Sequence, residues 1–270
     1  MLKIDNIKKT FNAGTANEVR ALRGVSMEIE EGSFVCILGT NGSGKSTALN
    51  AVAGTFLLDS GSVLLDGMDI TAWSEHKRAQ YIGRVFQNPF SGTAPGMTIQ
   101  ENLALALKRG RRRGLGWGLP EKLVIDLIKM VSPLNMGLEE RLDSPIGKLS
   151  GGQRQALTLL MATAIKPKLL LLDEHTAALD PKTASKVIDL TQKIISRDQL
   201  TTLMVTHSMQ QAINLGDRII MMHQGKIVYD FKGEDKKRLK VNDLLSLFDE
   251  IRRKDLIDPA VAVLLQKNYV

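Results

Sequence analysis

The segment from Phe34 to Ser46 constrains this chain more than any other. A compact apolar run, Phe34 to Leu38, stops at a glycine and leads into Gly39-Thr40-Asn41-Gly42-Ser43-Gly44-Lys45-Ser46, which fits G-x-x-x-x-G-K-[ST]. The apolar run reads as a buried strand, and Ser46 to Ala53 has helical character. A strand, a glycine-rich loop and a helix in that order make a specific device. The glycines let the backbone fold into a nest whose N–H groups point at phosphate oxygens, and the positive end of the helix faces the same place. At this spacing Lys45 would reach the β- and γ-phosphates, Ser46 would ligate Mg²⁺, and Thr47 would add a hydroxyl on the α-phosphate side.

The rest of the chain suits such a device. Strand and helix patterns alternate around the loop, which predicts an α/β fold with a mainly parallel sheet. Period-two alternation over Val25, Met27 and Ile29 marks an early strand, and the region from residue 2 to 35 reads as short strands. Ser62–Leu65, Asp66-Gly67 and Met68–Ile70 read as a small hairpin, and Ile82–Phe86 as a strand. After a Pro/Gly loop at Asn88–Gly96, Ile99–Lys108 and Glu121–Val131 carry helical spacing. No strand is expected between Pro89 and Leu149, so a helical insert of about 60 residues is predicted. Alternation then resumes: helix Gln153–Ile165, strand Lys168–Leu172, helix Pro181–Ser196, strand Thr201–Thr206, helix Ser208–Leu215, and a strand pair around Gly225. The stretch from Val241 to Gln266 reads as two amphipathic helices, the first on Leu244, Leu245, Leu247, Phe248 and Ile251, the second on Val261, Val263, Leu264 and Leu265.

Composition narrows the function class without choosing it. The 270 residues carry a formal charge of +7, a single cysteine (Cys36), and no apolar run near the ~18 residues of a membrane span. No intrachain disulfide is available, and a reducing compartment is the expectation. Met1 to Asp5 lacks the basic and apolar regions of a signal peptide. A basic balance suits nucleic acid, an anionic membrane surface or an anionic ligand.

Two further motifs carry chemistry. The strand Leu169–Leu172 ends in Asp173-Glu174, the Walker B arrangement, with a carboxylate at the C-terminal end of an apolar strand. Asp173 would hold Mg²⁺ through water. Glu174 points elsewhere and could orient and deprotonate an attacking water. Leu149-Ser150-Gly151-Gly152-Gln153 stands just before a helix, and a helix N-terminus is a second anion site. Two phosphate sites on one chain make sense only when they serve different nucleotides or different chains.

With Arg154-Gln155 following, that pentapeptide resembles the signature of the ATP-binding cassette (ABC) family. The resemblance covers about residues 2 to 232. It implies a P-loop NTPase core of the RecA-like kind with an antiparallel β subdomain. Residues 1–232 would form the ATPase domain, with a helical subdomain inserted at about 89–158, and 233–270 a C-terminal helical extension. It implies ATP and Mg²⁺ as ligands, and a homodimer in the ATP-bound state. There ATP lies between the phosphate loop of one copy and Leu149, Ser150, Gly151, Gly152 and Gln153 of the other. Gln87 resembles the Q-loop glutamine, which contacts Mg²⁺ or the attacking water and couples to the insert. Asp180, in Ala178-Leu179-Asp180, resembles the D-loop residue that reaches across the dimer. His207 resembles the switch histidine that holds the γ-phosphate, and Phe11 the aromatic that stacks on adenine, with Val19 in the same region. The resemblance thus makes Lys45, Gln87, Glu174 and His207 catalytic.

The family also implies partners. A single cassette without spans requires integral membrane permease subunits on separate chains, and so a cytoplasmic place on the inner face of the cell membrane, with no nucleic acid. His175 departs from the family, which commonly has Pro there, and would leave the carboxylates untouched. The variant resembles a bacterial importer subgroup with an extracytoplasmic, lipoprotein-type substrate-binding protein, some members of which handle aromatic amino acids. The Gly/Thr-rich Phe11–Asn17 also resembles ATPases of lipoprotein release or export. DNA-repair members have a long coiled coil where only 103 residues separate Lys45 from Leu149, without heptads. Finally, Lys108-Arg109-Gly110-Arg111-Arg112-Arg113 reads as a solvated loop, or as a contact for anionic headgroups.

Overall fold

The computed structural model describes residues 1–110 and 119–256. Two strands open the chain, β1 (Leu2–Phe11) and β2 (Val19–Ile29). They are longer than the short strands expected. Register shifts between Ile4 and Ile7 and between Lys9 and Thr10 bend the pair, so that a long ribbon can wrap a core. Next come β3 (Phe34–Gly39), α1 (Lys45–Ala53), β4 (Ser60–Leu65), β5 (Met68–Asp69), the single turn α2 (Glu75–Arg78) and β6 (Ile82–Val85). Three helices follow, α3 (Ile99–Leu107), α4 (Glu121–Val131) and α5 (Gly151–Thr163). The chain then alternates through β7 (Leu169–Asp173), α6 (Pro181–Asp198), β8 (Thr202–Val205), α7 (Met209–Leu215), β9 (Arg218–His223) and β10 (Lys226–Lys232). It closes with α8 (Gly233–Arg238), which periodicity did not reveal, and α9 (Val241–Leu256). The second helix expected in the tail, around Val261 to Leu265, lies outside the described residues.

The strands make two sheets. One is antiparallel, in the order β2-β1-β4-β5; the other has the order β10-β9-β3-β8-β7-β6. In the larger sheet β9, β3, β8, β7 and β6 run parallel, and β10 pairs antiparallel to β9. Its central strands are buried on both faces, which is why they read as unbroken apolar runs. Period two still sorts their side chains. Val35, Ile37, Leu169, Leu171, Leu203 and Val205 face a core shared with α1 and the antiparallel sheet. Cys36, Leu38, Leu170, Leu172 and Met204 face a second core with α6, α7 and α9. Burial in that second core pushes the Cys36 thiol up, out of reach of ordinary thiolate chemistry.

Helix α1 lies between the two sheets, with Ala48, Leu49, Ala51 and Val52 at or near zero exposure. Arg78 anchors its C-terminal end. The buried guanidinium donates to Ala51 O and Val52 O, each at 2.8 Å, and to Thr71 O and Trp73 O. A cation on the last carbonyls complements the negative end of the helix dipole. A third core, from Ile99 through Leu127 and Val131 to Leu157, belongs to α3, α4 and α5 and the turns between them.

The basic run after α3 is not uniformly solvated. Arg109 is half-buried, and its guanidinium donates to Ala162 O (2.9 Å) in the last turn of α5 and to Ile165 O (2.7 Å) just past its end. Burial lowers its pKa from the usual arginine value. Arg109 therefore clamps the end of α3 onto the end of α5. Arg111, Arg112 and Arg113 lie outside the described residues.

Candidate active site

Parallel strands present their carboxyl ends on one side of a sheet, where ligand sites of open α/β folds form. Here that edge carries Gly39 at the end of β3, His207 two residues past β8, Asp173 and Glu174 at and just past the end of β7, and Gln87 two residues past β6. Adjacent order in the sheet, β3-β8-β7-β6, brings these positions together from 169 residues of chain, Gly39 to His207.

The phosphate loop is shaped by its surroundings. Gly44 caps α1 in the left-handed region (φ 97°), and a Cβ there would stand 2.5 Å from Ala21 O of the neighbouring strand. No side chain caps α1, so its first N–H groups are available to a ligand. Lys45 is buried, and its Nζ donates to Gly39 O and Thr40 O at 2.9 Å each. Burial lowers the pKa of its ammonium, while the Glu174 and Asp173 carboxylates oppose that shift. Ser43 Oγ is buried without a hydrogen-bond partner in the loop. An orphaned hydroxyl there costs stability and fits an oxyanion partner. The Ser43 carbonyl accepts from Gly225 N at 2.9 Å, which fastens the nest to the β9–β10 turn.

Ser46 Oγ stands 3.4 Å from Asp173 Oδ1. Burial raises the pKa of Asp173, and Arg84, 4.0 Å away, opposes that shift. One carboxylate and one hydroxyl suit Mg²⁺, which keeps waters and takes further oxygens from phosphates. The donor set therefore fits the ion, and Gln87 lies one residue over, on the Glu174 carboxylate. When bound, the ion would supply charge neutralisation on the phosphate oxygens.

Glu174 is held on both sides. Its Oε1 lies 2.7 Å from His207 Nε2, and its Oε2 accepts from Gln87 Nε2 at 3.0 Å. Its backbone has φ 44°, a left-handed conformation costly for a non-glycine residue. Glu174 N donates to Val205 O at 2.9 Å, so the turn is fastened to the end of β8. His175, expected to leave the carboxylates alone, points into the core. It is 2 % exposed, its Nε2 lies 3.1 Å from Thr191 Oγ1 of α6, and burial depresses its pKa to about 4. It packs the segment after Glu174 onto α6 as a neutral imidazole.

The residues Leu149 to Gln153 form a separate patch. Ser150 caps α5 in a capping box: Ser150 Oγ accepts from Gln153 N, and Gln153 Oε1 from Ser150 N. That cap starts α5 at Gly151, two residues before the helix read from the sequence. A Cβ on Gly152 would stand 1.9 Å from Thr183 Cγ2, so glycine lets the starts of α5 and α6 touch. Asp180 caps α6, with Oδ1 accepting from Thr183 N at 3.1 Å. Ser150 and Asp180 thus share one patch. A cavity of about 540 Å³ at the phosphate loop is lined, among the described residues, by none of that patch.

Two residues whose roles the motif left open connect these parts. Gln155 donates to Phe86 O at 3.1 Å, beside Gln87, and Arg154 stacks on Phe90 at 3.7 Å while donating to Ile146 O and Gly147 O. The helix that starts at Ser150 therefore also grips the segment that carries Gln87. They follow the pentapeptide directly, so position was the signal; what they grip was not legible. Phe11 meets Phe56 edge-on with ring centroids 5.3 Å apart, and pairs across the ribbon with the exposed Val19.

Comparisons with known proteins bear on this geometry. Residues 22–177 match the family described as ABC transporter. A tyrosine transport ATP-binding protein from Clostridioides difficile is 45% identical over 249 residues, covering 92% of this chain and 99% of that protein. A bicarbonate transport ATP-binding protein from Synechococcus elongatus is 37% identical over 226 residues, 82% of this chain; the chain spans 32% of that longer relative. Among solved structures, a dimeric ATP-binding cassette in a post-hydrolysis state bound to ADP and Pi superposes with a TM-score of 0.74 at 31% identity, covering 86% of this chain and 98% of that one.

Proposed function

The chain belongs to the ABC transporter family and is an ATP-hydrolysing subunit; on that premise we propose that ATP is turned over at a site shared by two copies of the chain and drives import through separate membrane subunits. The observation that carries the reading is the meeting of Gln87, Glu174 and His207 beside Lys45, Ser46 and Asp173.

The chain's own groups account for the steps. The uncapped N–H groups of α1 and the loop receive the phosphates, with Ser43 Oγ gaining the partner it lacks. Lys45 exchanges the Gly39 and Thr40 carbonyls for β- and γ-phosphate oxygens. Ser46 and Asp173 would hold Mg²⁺, and Thr47 would add a hydroxyl on the α-phosphate side. Glu174 accepts a proton from the attacking water, and Gln87 and His207, which hold its two oxygens at rest, turn to the water and the γ-phosphate. Phe11 and Val19 offer the base an apolar platform. The Ser150 patch of a second copy closes the site, its capped helix start serving as the second anion site. Dimeric assembly in the similar cassette supports that arrangement.

Closure moves the helical insert through the links from Gln155 and Arg154 to Phe86 and Phe90. We place the coupling to membrane subunits there, on the cytoplasmic face. Similarity to a tyrosine transport protein over almost its whole length supports an aromatic amino acid as cargo, delivered by an extracytoplasmic binding protein. The test is reconstitution with membrane subunits that co-purify with this chain. ATP turnover stimulated by a loaded binding protein supports the reading. Turnover indifferent to membrane subunits and binding protein overturns the importer assignment.

A further inference from the structure

The cavity at the phosphate loop has a second wall. Gly39, Thr40, Asn41 and His207 form one side, and Leu245, Phe248 and Asp249 of α9 the other. Helix α9 is seated firmly, with Leu244, Phe248 and Ile251 in the core beside α7. Its neighbouring face is open. Leu245 is 46% exposed although it is a large apolar side chain, and Asp249, one turn on, is exposed beside it. An apolar residue and a carboxylate thus stand on the wall of a cavity that borders the first residues of the phosphate loop and His207.

We propose that this face of α9 is a contact surface for a second copy of the chain in its ATP-bound dimer. The inference rests on the shared-site reading above and extends it to an element outside the family's matched region. Continuity carries it. Whatever closes over Gly39–Asn41 and His207 also passes over Leu245 and Asp249, because they line one cavity. The patch that closes it contains Ser150, Leu179 and Asp180, held together where Gly151 and Gly152 meet Leu179 and Thr183. Charge agrees as well. Lys148 and Lys182 are exposed on either side of that patch, and Asp249 is the acid that they would meet. Leu245 loses water in the contact, and the Asp249–Lys182 pair sets its register.

The test uses the full chain carrying Glu174→Gln, which should bind ATP with little turnover, and reads dimer formation with ATP by analytical ultracentrifugation. Leu245→Arg should weaken ATP-dependent dimerisation by at least about tenfold, since it places an unpaired charge in the contact. Asp249→Lys should weaken it about threefold to fivefold, and adding Lys182→Asp should restore it. ATP affinity of the dilute monomer, read with a fluorescent ATP analogue, should stay unchanged, which separates a lost contact from a lost fold. Dimerisation that is unchanged or tighter in the α9 variants overturns the proposal while leaving the shared site standing. A Glu174→Gln parent that stays monomeric with ATP overturns both.

Discussion

Helices α1 and α5 both begin at glycine-rich segments, yet they prepare their N-termini in opposite ways. The start of α1 is Gly44 in a left-handed conformation, with no side chain on the N–H groups, a buried lysine beside them and an orphaned Ser43 hydroxyl. The start of α5 is self-satisfied: Ser150 and Gln153 bond each other's backbones. One end is left open at a cost in stability; the other is closed and must exchange a hydrogen bond before it meets an anion. The first suits a ligand that the same chain binds directly. The second suits an anion that arrives with another copy and leaves again, because its resting state is already satisfied.

That contrast can be broken. Lys45→Ala should have the largest effect, abolishing productive ATP binding; wild-type affinity by titration calorimetry would refute the phosphate-loop assignment. Glu174→Gln should lower turnover by about 10²- to 10⁴-fold while ATP binding persists. Should steady-state hydrolysis survive at wild-type rate, Glu174 is not the base. Ser150→Arg should leave monomer ATP affinity intact but block hydrolysis. Mixing it with inactive Lys45→Ala chains should restore part of the activity, since one of the two sites then has both halves whole. No recovery on mixing would argue for a site within one chain. The smallest effect belongs to the caps: Ser150→Ala should cost about 1 kcal/mol, and Gly152→Ala about 1–3 kcal/mol through the forced separation of α5 from α6. Thermal melts check both, and a melt unchanged in Gly152→Ala would show that the α5–α6 contact yields freely.

Much of the site was legible because its motifs are local. Gly39 to Thr47 needs only consecutive residues to form a nest, and Asp173-Glu174 needs only an apolar strand to carry it to a sheet edge. Elsewhere local pattern misled or was silent. Arg109 reads as one charge in a basic run, but its partners, Ala162 O and Ile165 O, lie more than 50 residues away. His175 reads as a bystander, but its place is set by Thr191 on a packed helix. Arg78 sits in an unremarked single turn, and its four carbonyl partners include the end of the helix that carries Lys45.

The sequence by itself determined which groups can do chemistry: a phosphate nest, a lysine, a strand-end carboxylate pair and a helix-capping serine, each defined by neighbours within a few residues. Only the tertiary structure decided which of them meet. Gln87, Glu174 and His207 come together because parallel strands β6, β7 and β8 lie side by side, an order set by sheet pairing. Ser150 is kept with Asp180 because α5 and α6 pack start to start over Gly152. Local motifs are encoded in short-range backbone and side-chain preferences, whereas their company depends on long-range burial that no short stretch of chain contains.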